Sequence, residues 1–176
     1  PILLKGGILH TVSGDVLEGY DILFAKGKII SIEKSIMPSP ETDVYDIYDK
    51  HVVPGYIAPF TQLGLVEIGL VRQTRDYAET GEINSNVRAN VSYNPDSELI
   101  PVTRSNGVLI ANSVPMSGRI SGQSSVMMMD GWTWEDATLK HPTALHLNWP
   151  DMRIQYGKNV KKSEKIQRQD IQKSIR

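Results

Sequence analysis

The residues best suited to acid–base or metal chemistry in this chain are its four histidines, His10, His51, His141 and His146. His141 and His146 are five positions apart, so on one regular strand their side chains would face opposite sides and could not chelate one metal ion. His10 and His51 fall among short predicted strands, where structural or surface roles are expected. His146 lies late in a predicted strand at 144–148 and is therefore a candidate site residue.

A glycine- and serine-rich stretch at 117–125 is the second feature that could take part in binding. It lacks the Lys-Ser/Thr ending of a phosphate-binding P-loop and does not match a dinucleotide-binding fingerprint. Arg119 is the residue there best suited to hold a carboxylate, and Gln123 is a second candidate for lining a ligand. Two interpretations stay open: a loop that lines a substrate site, and a plain connection between two elements.

The composition excludes several kinds of chemistry. The chain has 176 residues, no cysteine and a formal net charge of −1. It therefore has no disulfide, thiolate metal site or cysteine nucleophile, and gives no electrostatic reason to bind nucleic acid or an anionic membrane. Its longest apolar runs, 108–111 and 126–129, are too short to span a bilayer. We expect neither nucleic acid nor a membrane as a partner, and both a cytoplasmic and a periplasmic location fit.

Residues 2–53 form a series of short predicted strands separated by turn signals. Lys26-Gly27 stands between the apolar runs 21–25 and 28–34, as in a tight hairpin turn. Gly6-Gly7 is expected to separate two further strands. These patterns predict a small all-β domain at 1–53, and about fifty residues is small for independent stability.

From Pro54-Gly55 onward, short apolar strands alternate with helical or loop stretches. Asn94-Pro95 is expected to begin a helix and Asn106-Gly107 to end it. Thr133 to Asp136 resembles a capping box, and the charged tail at 158–176 is expected to be helical. Strands are predicted at 56–60, 107–114, 124–129 and 144–148. This alternation predicts a parallel sheet with crossover helices.

The region at 54–176 is too short for a complete (β/α)₈ barrel, which needs roughly 250 residues. We therefore predict only the first part of a barrel. The chain begins at Pro1 instead of methionine. An upstream segment, such as a signal peptide, is therefore expected to have been removed or left out.

Two groups of short motifs stand in a fixed order over residues 2–65. The first group is LLKGG at 3–7, DIL at 21–23 and GKI at 27–29, and the second is VVPGYIAPFTQ at 52–62. In this order and spacing they resemble the amidohydrolase superfamily, especially its imidazolonepropionase-like and prolidase-like members. The resemblance weakens beyond residue 65 but the strand order still fits to about Pro150.

The resemblance implies an α/β fold with a small β-sandwich. Residues 1–53 would form the N-terminal half of a composite urease-like β domain, whose other half comes from the far C-terminus of a full-length protein. Residues 54–176 would form the first part of a metal-dependent-hydrolase TIM (β/α)₈ barrel. The remaining barrel, or a second copy in a homo-oligomer, would be needed to complete it.

The resemblance also implies a metal-binding His-x-His pair at the end of the first barrel strand. In this sequence the two positions are Phe60 and Gln62, and the preceding Asp is replaced by Ala58. Phe cannot bind a metal ion, and a neutral Gln oxygen is a poor zinc ligand. No metal ligand or catalytic residue is therefore assigned in this chain, although zinc or a similar divalent ion could be held by downstream residues of the full-length protein. Lost metal binding in this branch is the other interpretation.

The function implied by the resemblance is hydrolysis of carbon–nitrogen bonds in cyclic amides or amino-acyl amides. Substrate-lining roles are predicted for Gln62, Arg119, Gln123 and His146, and the chain is expected to be inactive alone. The alternative is a non-catalytic barrel relative that serves as a binding or assembly partner.

Overall fold

The computed structural model of the protein describes residues 1–156 and 162–175. Contacts between residues divide the chain into two compact units, Pro1–Gly55 and Tyr56–Arg176. The sequence changes from strand-rich to mixed composition close to this boundary, at Pro54-Gly55.

The first unit is a five-stranded sheet. Its strands are β1 (Ile2–His10), β2 (Val16–Ala25), β3 (Lys28–Glu33), β4 (Asp43–Asp46) and β5 (His51–Val52). β1, β2 and β3 pair in antiparallel order, whereas β4 and β5 both pair with β1 in parallel.

Two predicted turns of this unit have different outcomes. The turn at Lys26-Gly27 is confirmed, because both residues have positive φ (52° and 72°), as a tight hairpin turn requires. The predicted break at Gly6-Gly7 is wrong, since both residues lie within β1. The glycines instead produce a shift in the pairing of β1 with β2, which is typical of a bulge.

A small core with one polar group holds the first unit together. Leu3, Leu9 and Ile22 are buried, and Asp21 beside Ile22 is only 2% exposed. The Asp21 carboxyl accepts hydrogen bonds from two backbone N–H groups, Gly6 at 2.8 Å and Ile36 at 3.0 Å. It thereby joins the bulge in β1 to the segment that follows β3, and its burial is offset by these bonds.

The second unit contains a four-stranded sheet, a two-stranded sheet and short helices. The sheets have the strand orders β10-β9-β7-β6 and β11-β8. Short 3₁₀ helices lie at Arg72–Thr74 and Ala89–Ser92. The remaining elements are β6 (Tyr56–Thr61), α1 (Leu99–Ser105), β7 (Val108–Ser113), β8 (Ile120–Gln123), β9 (Ser125–Met128), α2 (Trp134–Ala137), β10 (Thr138–Lys140), β11 (Leu145–Leu147) and α3 (Glu164–Ile175).

In the four-stranded sheet, only the first two strands along the chain, β6 and β7, have the expected parallel pairing. β6 and β7 are parallel and are connected by a long segment that contains α1, as a parallel crossover requires. β9 is antiparallel to β7, and β10 is antiparallel to β9, so the prediction is wrong for these pairs. The reason lies at 114–124, which holds no helix and passes through β8 before returning to the sheet. The stretch at 117–125, predicted as a loop, thus contains a strand.

The helix signals had mixed outcomes. α1 begins at Leu99, so the predicted start at Asn94 is wrong. The Asn94 side chain instead accepts a hydrogen bond from Asp96 N at 3.1 Å, forming a turn ahead of the helix. The predicted end is confirmed, because Asn106 caps α1 and Gly107 follows with φ +86°.

The other two helices agree with the sequence where they are described. Thr133 caps α2 by accepting a hydrogen bond from Asp136 N at 3.2 Å, as predicted. Within the charged tail, Glu164–Ile175 form α3, and residues 157–161 and 176 lie outside the described residues.

The core of the second unit lies between α1, α2 and the sheet, and its buried members are Tyr93, Ile100, Ala111, Met127, Met129 and Ala137. The observed class, a mixed α/β chain that begins with a small β unit, confirms the predicted fold class. Within the described residues, no helix has both the length and the apolar character needed to cross a membrane.

Candidate functional site

Phe60 and Gln62 lie at the carboxyl end of β6, where the chain leaves the sheet beside β7. Thr61 O accepts a hydrogen bond from Val114 N at 2.8 Å, so the ends of the two parallel strands are tied together. In parallel β/α architectures this end of the strands carries the functional side chains. The two residues therefore occupy the position that the sequence motif assigned to them.

A bulge alters how the end of β6 presents its side chains. Between the paired positions, β6 advances from 58 to 61 while β7 advances only from 111 to 113. Pro59 lies in this bulge, and its carbonyl accepts a hydrogen bond from Asn112 Nδ2 at 3.1 Å. A bulge interrupts the regular alternation of side chains along a strand. Accordingly, the contacts of Phe60 and Gln62 go to different partners.

Phe60 and His146 are brought together by the fold. Their ring centroids are 6.0 Å apart and their planes meet at 66°, the edge-to-face geometry that aromatic rings favour. His146 lies in β11 opposite Gly122 of β8. The His146 Nε2 atom is buried and, within the described part of the chain, has no hydrogen-bond partner. Burial also lowers the pKa of His146 below its ordinary value, so the neutral imidazole is favoured.

Gln62 contacts a residue that sequence reasoning missed. Its Nε2 atom lies against the Met116 sulfur as a hydrogen-bond donor. Met116 comes three residues after the end of β7 and is held by a backbone bond from its N–H to Tyr77 O at 2.7 Å. No local signal marks Met116, because its position depends on how β7 lies beside β6.

Arg119 and Gln123 lie at opposite ends of β8, so the structure does not bring them together. Gln123 Nε2 donates to Ser85 O at 2.9 Å, which attaches the segment at 85–88 to the strand. Arg119 is half-buried, and its backbone bonds to Glu82 O and Asn148 N hold neighbouring segments. The four strand positions between them correspond to about 13 Å. Gln123 thus serves the scaffold at one end of β8, and Arg119 lies next to the other end.

A partly buried polar network that includes Asn112 of β7 also escaped sequence reasoning. The Ser124 and Thr143 hydroxyls are 2.8 Å apart, and Thr143 donates to Asn112 Oδ1 at 2.9 Å. Since Asn112 also holds Pro59, the network connects the segment after β10 to the bulge of β6. The glycine- and serine-rich stretch at 117–125 was its only local signal.

His141 belongs to the same polar region. Its Nδ1 atom is 2.8 Å from Ser125 Oγ, which also accepts a hydrogen bond from Asn90 N. Burial lowers the pKa of His141, the positive charge of Arg88 lowers it further, and a backbone hydrogen bond at Ser124 acts in the opposite direction. Because Ser125 is fully buried, this Ser–His contact cannot present a nucleophile to a substrate.

The residues at the expected His-x-His positions do not fit a divalent metal ion. Phe60 has no donor atom, and the Gln62 amide is turned to Met116. In residues 1–156 and 162–175, no group of three His, Cys, Asp or Glu side chains is placed to hold a metal ion. What the end of β6 offers is an aromatic ring, a neutral imidazole and an amide, which can bind and orient a neutral polar ligand.

Comparison with known proteins supports one superfamily. The chain matches no protein-family model. It is 39% identical over 70 residues, 40% of its length, to Dihydropyrimidinase 2 of Caenorhabditis briggsae, and 37% identical over 68 residues to Dihydropyrimidinase 2 of Caenorhabditis elegans. The crystal structure of an amidohydrolase from Thermotoga maritima MSB8 superposes on 84% of this chain with a TM-score of 0.77 and 26% sequence identity.

The chain resembles members of the amidohydrolase superfamily in sequence and in fold, as its ordered motifs predicted. It corresponds to an N-terminal portion of the fold, the part that begins with the small urease-like β domain. The matched regions make up 13% of each curated relative and 38% of the Thermotoga maritima chain.

Proposed function

We propose that the full-length protein hydrolyses carbon–nitrogen bonds in cyclic amides, such as dihydropyrimidines, or in amino-acyl amides. The observation that carries the proposal is the superposition on an amidohydrolase over 84% of the chain. The names of the two dihydropyrimidinase relatives support the cyclic-amide class. Amino-acyl amides are included because the sequence motifs resemble the imidazolonepropionase-like or prolidase-like branch.

In this proposal, the residues at the end of β6 bind the substrate and do not activate water. The Gln62 amide oxygen and the Nδ1 atom of the neutral His146 imidazole can hydrogen-bond to an amide substrate, since Gln62 Nε2 is bonded to Met116 and His146 Nε2 is buried. Phe60 adds an apolar wall beside His146. Arg119 would hold a carboxylate where the substrate carries one.

The groups that activate water would come from outside residues 1–176. A divalent ion such as Zn²⁺, where the full-length protein uses one, would be bound by those residues. The remaining barrel, or a second copy of the chain, would complete the site beside β6. We therefore expect the 176-residue chain to have no hydrolase activity by itself.

A second function is favoured by one specific observation. Phe60, Gln62 and Ala58 all lack the metal-binding or proton-transferring groups expected at their positions. A protein with this fold and without those groups could be a non-catalytic barrel relative that binds a ligand or an assembly partner.

The test is hydrolysis by the full-length protein of a panel of dihydropyrimidines and amino-acyl amides, with metal content measured on the same sample. We expect at least one substrate to be hydrolysed. Gln62→Ala and His146→Ala should each lower kcat/KM about three- to tenfold, the loss of one hydrogen bond to the substrate. Gln73→Ala, an exposed glutamine in a 3₁₀ helix, is the matched control and should leave kcat/KM unchanged.

Two outcomes would contradict the proposal. Absence of hydrolysis by a folded, metal-loaded full-length protein favours the non-catalytic alternative. Hydrolysis that is equally fast in the Gln62 and His146 variants removes these residues from the substrate site.

A further inference from the structure

The first unit contains a histidine pair that plays no part in the proposed hydrolase site. His10 Nε2 and His51 Nδ1 are 2.8 Å apart, and the ring centroids are 5.1 Å apart with planes tilted by 36°. β1 and β5 pair in parallel with Ile8 opposite His51. His10 is two residues beyond Ile8, so both imidazoles stand on the same face of the sheet as diagonal neighbours.

The backbone on both sides of this pair is fixed by hydrogen bonding. His10 is the last residue of β1 and pairs with Val16 of β2. Ile8 N donates to Lys50 O at 2.9 Å, immediately before β5 begins at His51. His51 is exposed and His10 is half-buried, so an ion from solvent can reach the facing nitrogen atoms.

We propose that His10 and His51 form a two-histidine site for a divalent transition metal ion of tetragonal geometry, with Cu²⁺ bound more tightly than Ni²⁺. Imidazole nitrogen atoms lie about 2.0 Å from such an ion, so two ligands at right angles are about 2.8 Å apart. The observed separation already has this value. Tetrahedral coordination of Zn²⁺ would require about 3.3 Å, and therefore an opening of the pair by about 0.5 Å.

Binding changes the tautomer of one ring and leaves both imidazoles neutral. In the present hydrogen bond, one of the two facing nitrogens carries the proton and the other accepts it. When the metal binds, that proton moves to the other nitrogen of the same ring, and both facing nitrogens donate lone pairs to the ion. Among the described residues no third His, Cys, Asp or Glu joins the pair, so water fills the other positions.

The test is titration of the chelator-stripped full-length protein with Cu²⁺, followed by electron paramagnetic resonance. We expect a tetragonal signal with nitrogen couplings from two imidazoles. His10→Gln and His51→Gln should each remove one coupling and weaken Cu²⁺ binding at least roughly tenfold, since even loss of an outer partner of a ligand costs this much. His141→Gln removes a histidine of the second unit that lies outside the proposed substrate site and is the matched control. Its Cu²⁺ affinity at this site should equal that of the wild type.

The double variant His10→Gln/His51→Gln gives the background from any other metal site in the protein. A wild-type titration that matches this background overturns the proposal, as does an unchanged two-nitrogen signal in either single variant. Circular dichroism of each variant establishes that it is folded. The result does not depend on hydrolase activity, so the two proposals can fail separately.

Discussion

The two units of the chain bury polar groups in different ways. In the first unit a single carboxyl, Asp21, accepts hydrogen bonds from two backbone N–H groups, one in the bulge of β1 and one in the segment that follows β3. In the second unit the buried polar groups are mainly hydroxyls, and those at most 1% exposed are Ser113, Ser121, Ser124 and Ser125. In the first unit, one carboxylate thus joins two segments of the chain. In the second unit, many weaker hydroxyl hydrogen bonds join segments that are far apart in sequence.

The largest effect expected from this comparison comes from Asp21→Ala. The substitution leaves Gly6 N and Ile36 N without their acceptor, and we expect a loss of roughly 4 kcal/mol in the free energy of unfolding. Urea denaturation measures this loss. Asp15→Ala, an exposed aspartate between β1 and β2, is the control and should change stability by less than about 0.5 kcal/mol.

Ser125→Ala in the second unit tests the other side of the comparison, in which each buried polar group contributes little. Ser125 accepts from Asn90 N and contacts His141, and a neutral hydroxyl of this kind contributes about 1 kcal/mol. Equal losses for Asp21→Ala and Ser125→Ala would contradict the contrast between one strong tie and many weak ones.

An effect smaller than that of Asp21→Ala is expected from crowding at Gly118 in the second unit. Gly118 has φ +55°, and an added Cβ would overlap Gly81 O and lie 2.9 Å from Glu82 Cα. Gly19 in the first unit has φ +69° with open space around it. Gly19→Ala should therefore cost only the positive-φ strain, about 1 kcal/mol, and Gly118→Ala roughly 3 kcal/mol. Thermal unfolding of both variants checks the difference, and identical midpoints would show that the loop at 79–82 moves away freely.

The smallest effect is the pH dependence that the second unit contributes through His141 and His146. Burial lowers the pKa of both side chains, so the unfolded chain, with pKa values of about 6.5, binds more protons than the folded chain. Their contribution to stability is complete above about pH 6.5 and is lost as the pH falls through the lower, folded-state pKa values. The urea midpoint measured from pH 7.5 to 5 should fall less steeply in His141→Gln/His146→Gln than in the wild type. Parallel curves would mean that neither histidine changes its proton affinity on folding.

The same contrast explains which parts of the fold were predictable. In the first unit, Lys26-Gly27 fixes a hairpin through local backbone conformation, so its sequence is sufficient. In the second unit, Asn106-Gly107 ends α1 for the same local reason. The antiparallel return of β9 depends on the path of residues 114–124 and on the pairing of β8 with β11. No periodicity in the sequence reports a pairing between such distant segments.

The candidate site also contains one part that could be predicted from the sequence and one part that could not. Phe60 and Gln62 are placed at the end of β6 by a contiguous motif. The contact between Phe60 and His146 joins residues 86 positions apart and follows only from the completed fold. For His10 and His51 the sequence predicts structural or surface roles, and their contact is not predictable because the parallel pairing of β5 with β1 is not visible in the sequence.

Pro59 has a consequence beyond the geometry of the bulge. Among the described strands, β6 is the edge of its sheet, and its Tyr56, Ile57 and Phe60 side chains are about 60% exposed. An exposed apolar edge is a template on which other chains can aggregate. Pro59 has no N–H to donate, so it interrupts the ladder that an incoming strand would build. Pro59 thus makes this edge a poorer template for the addition of a strand from another chain.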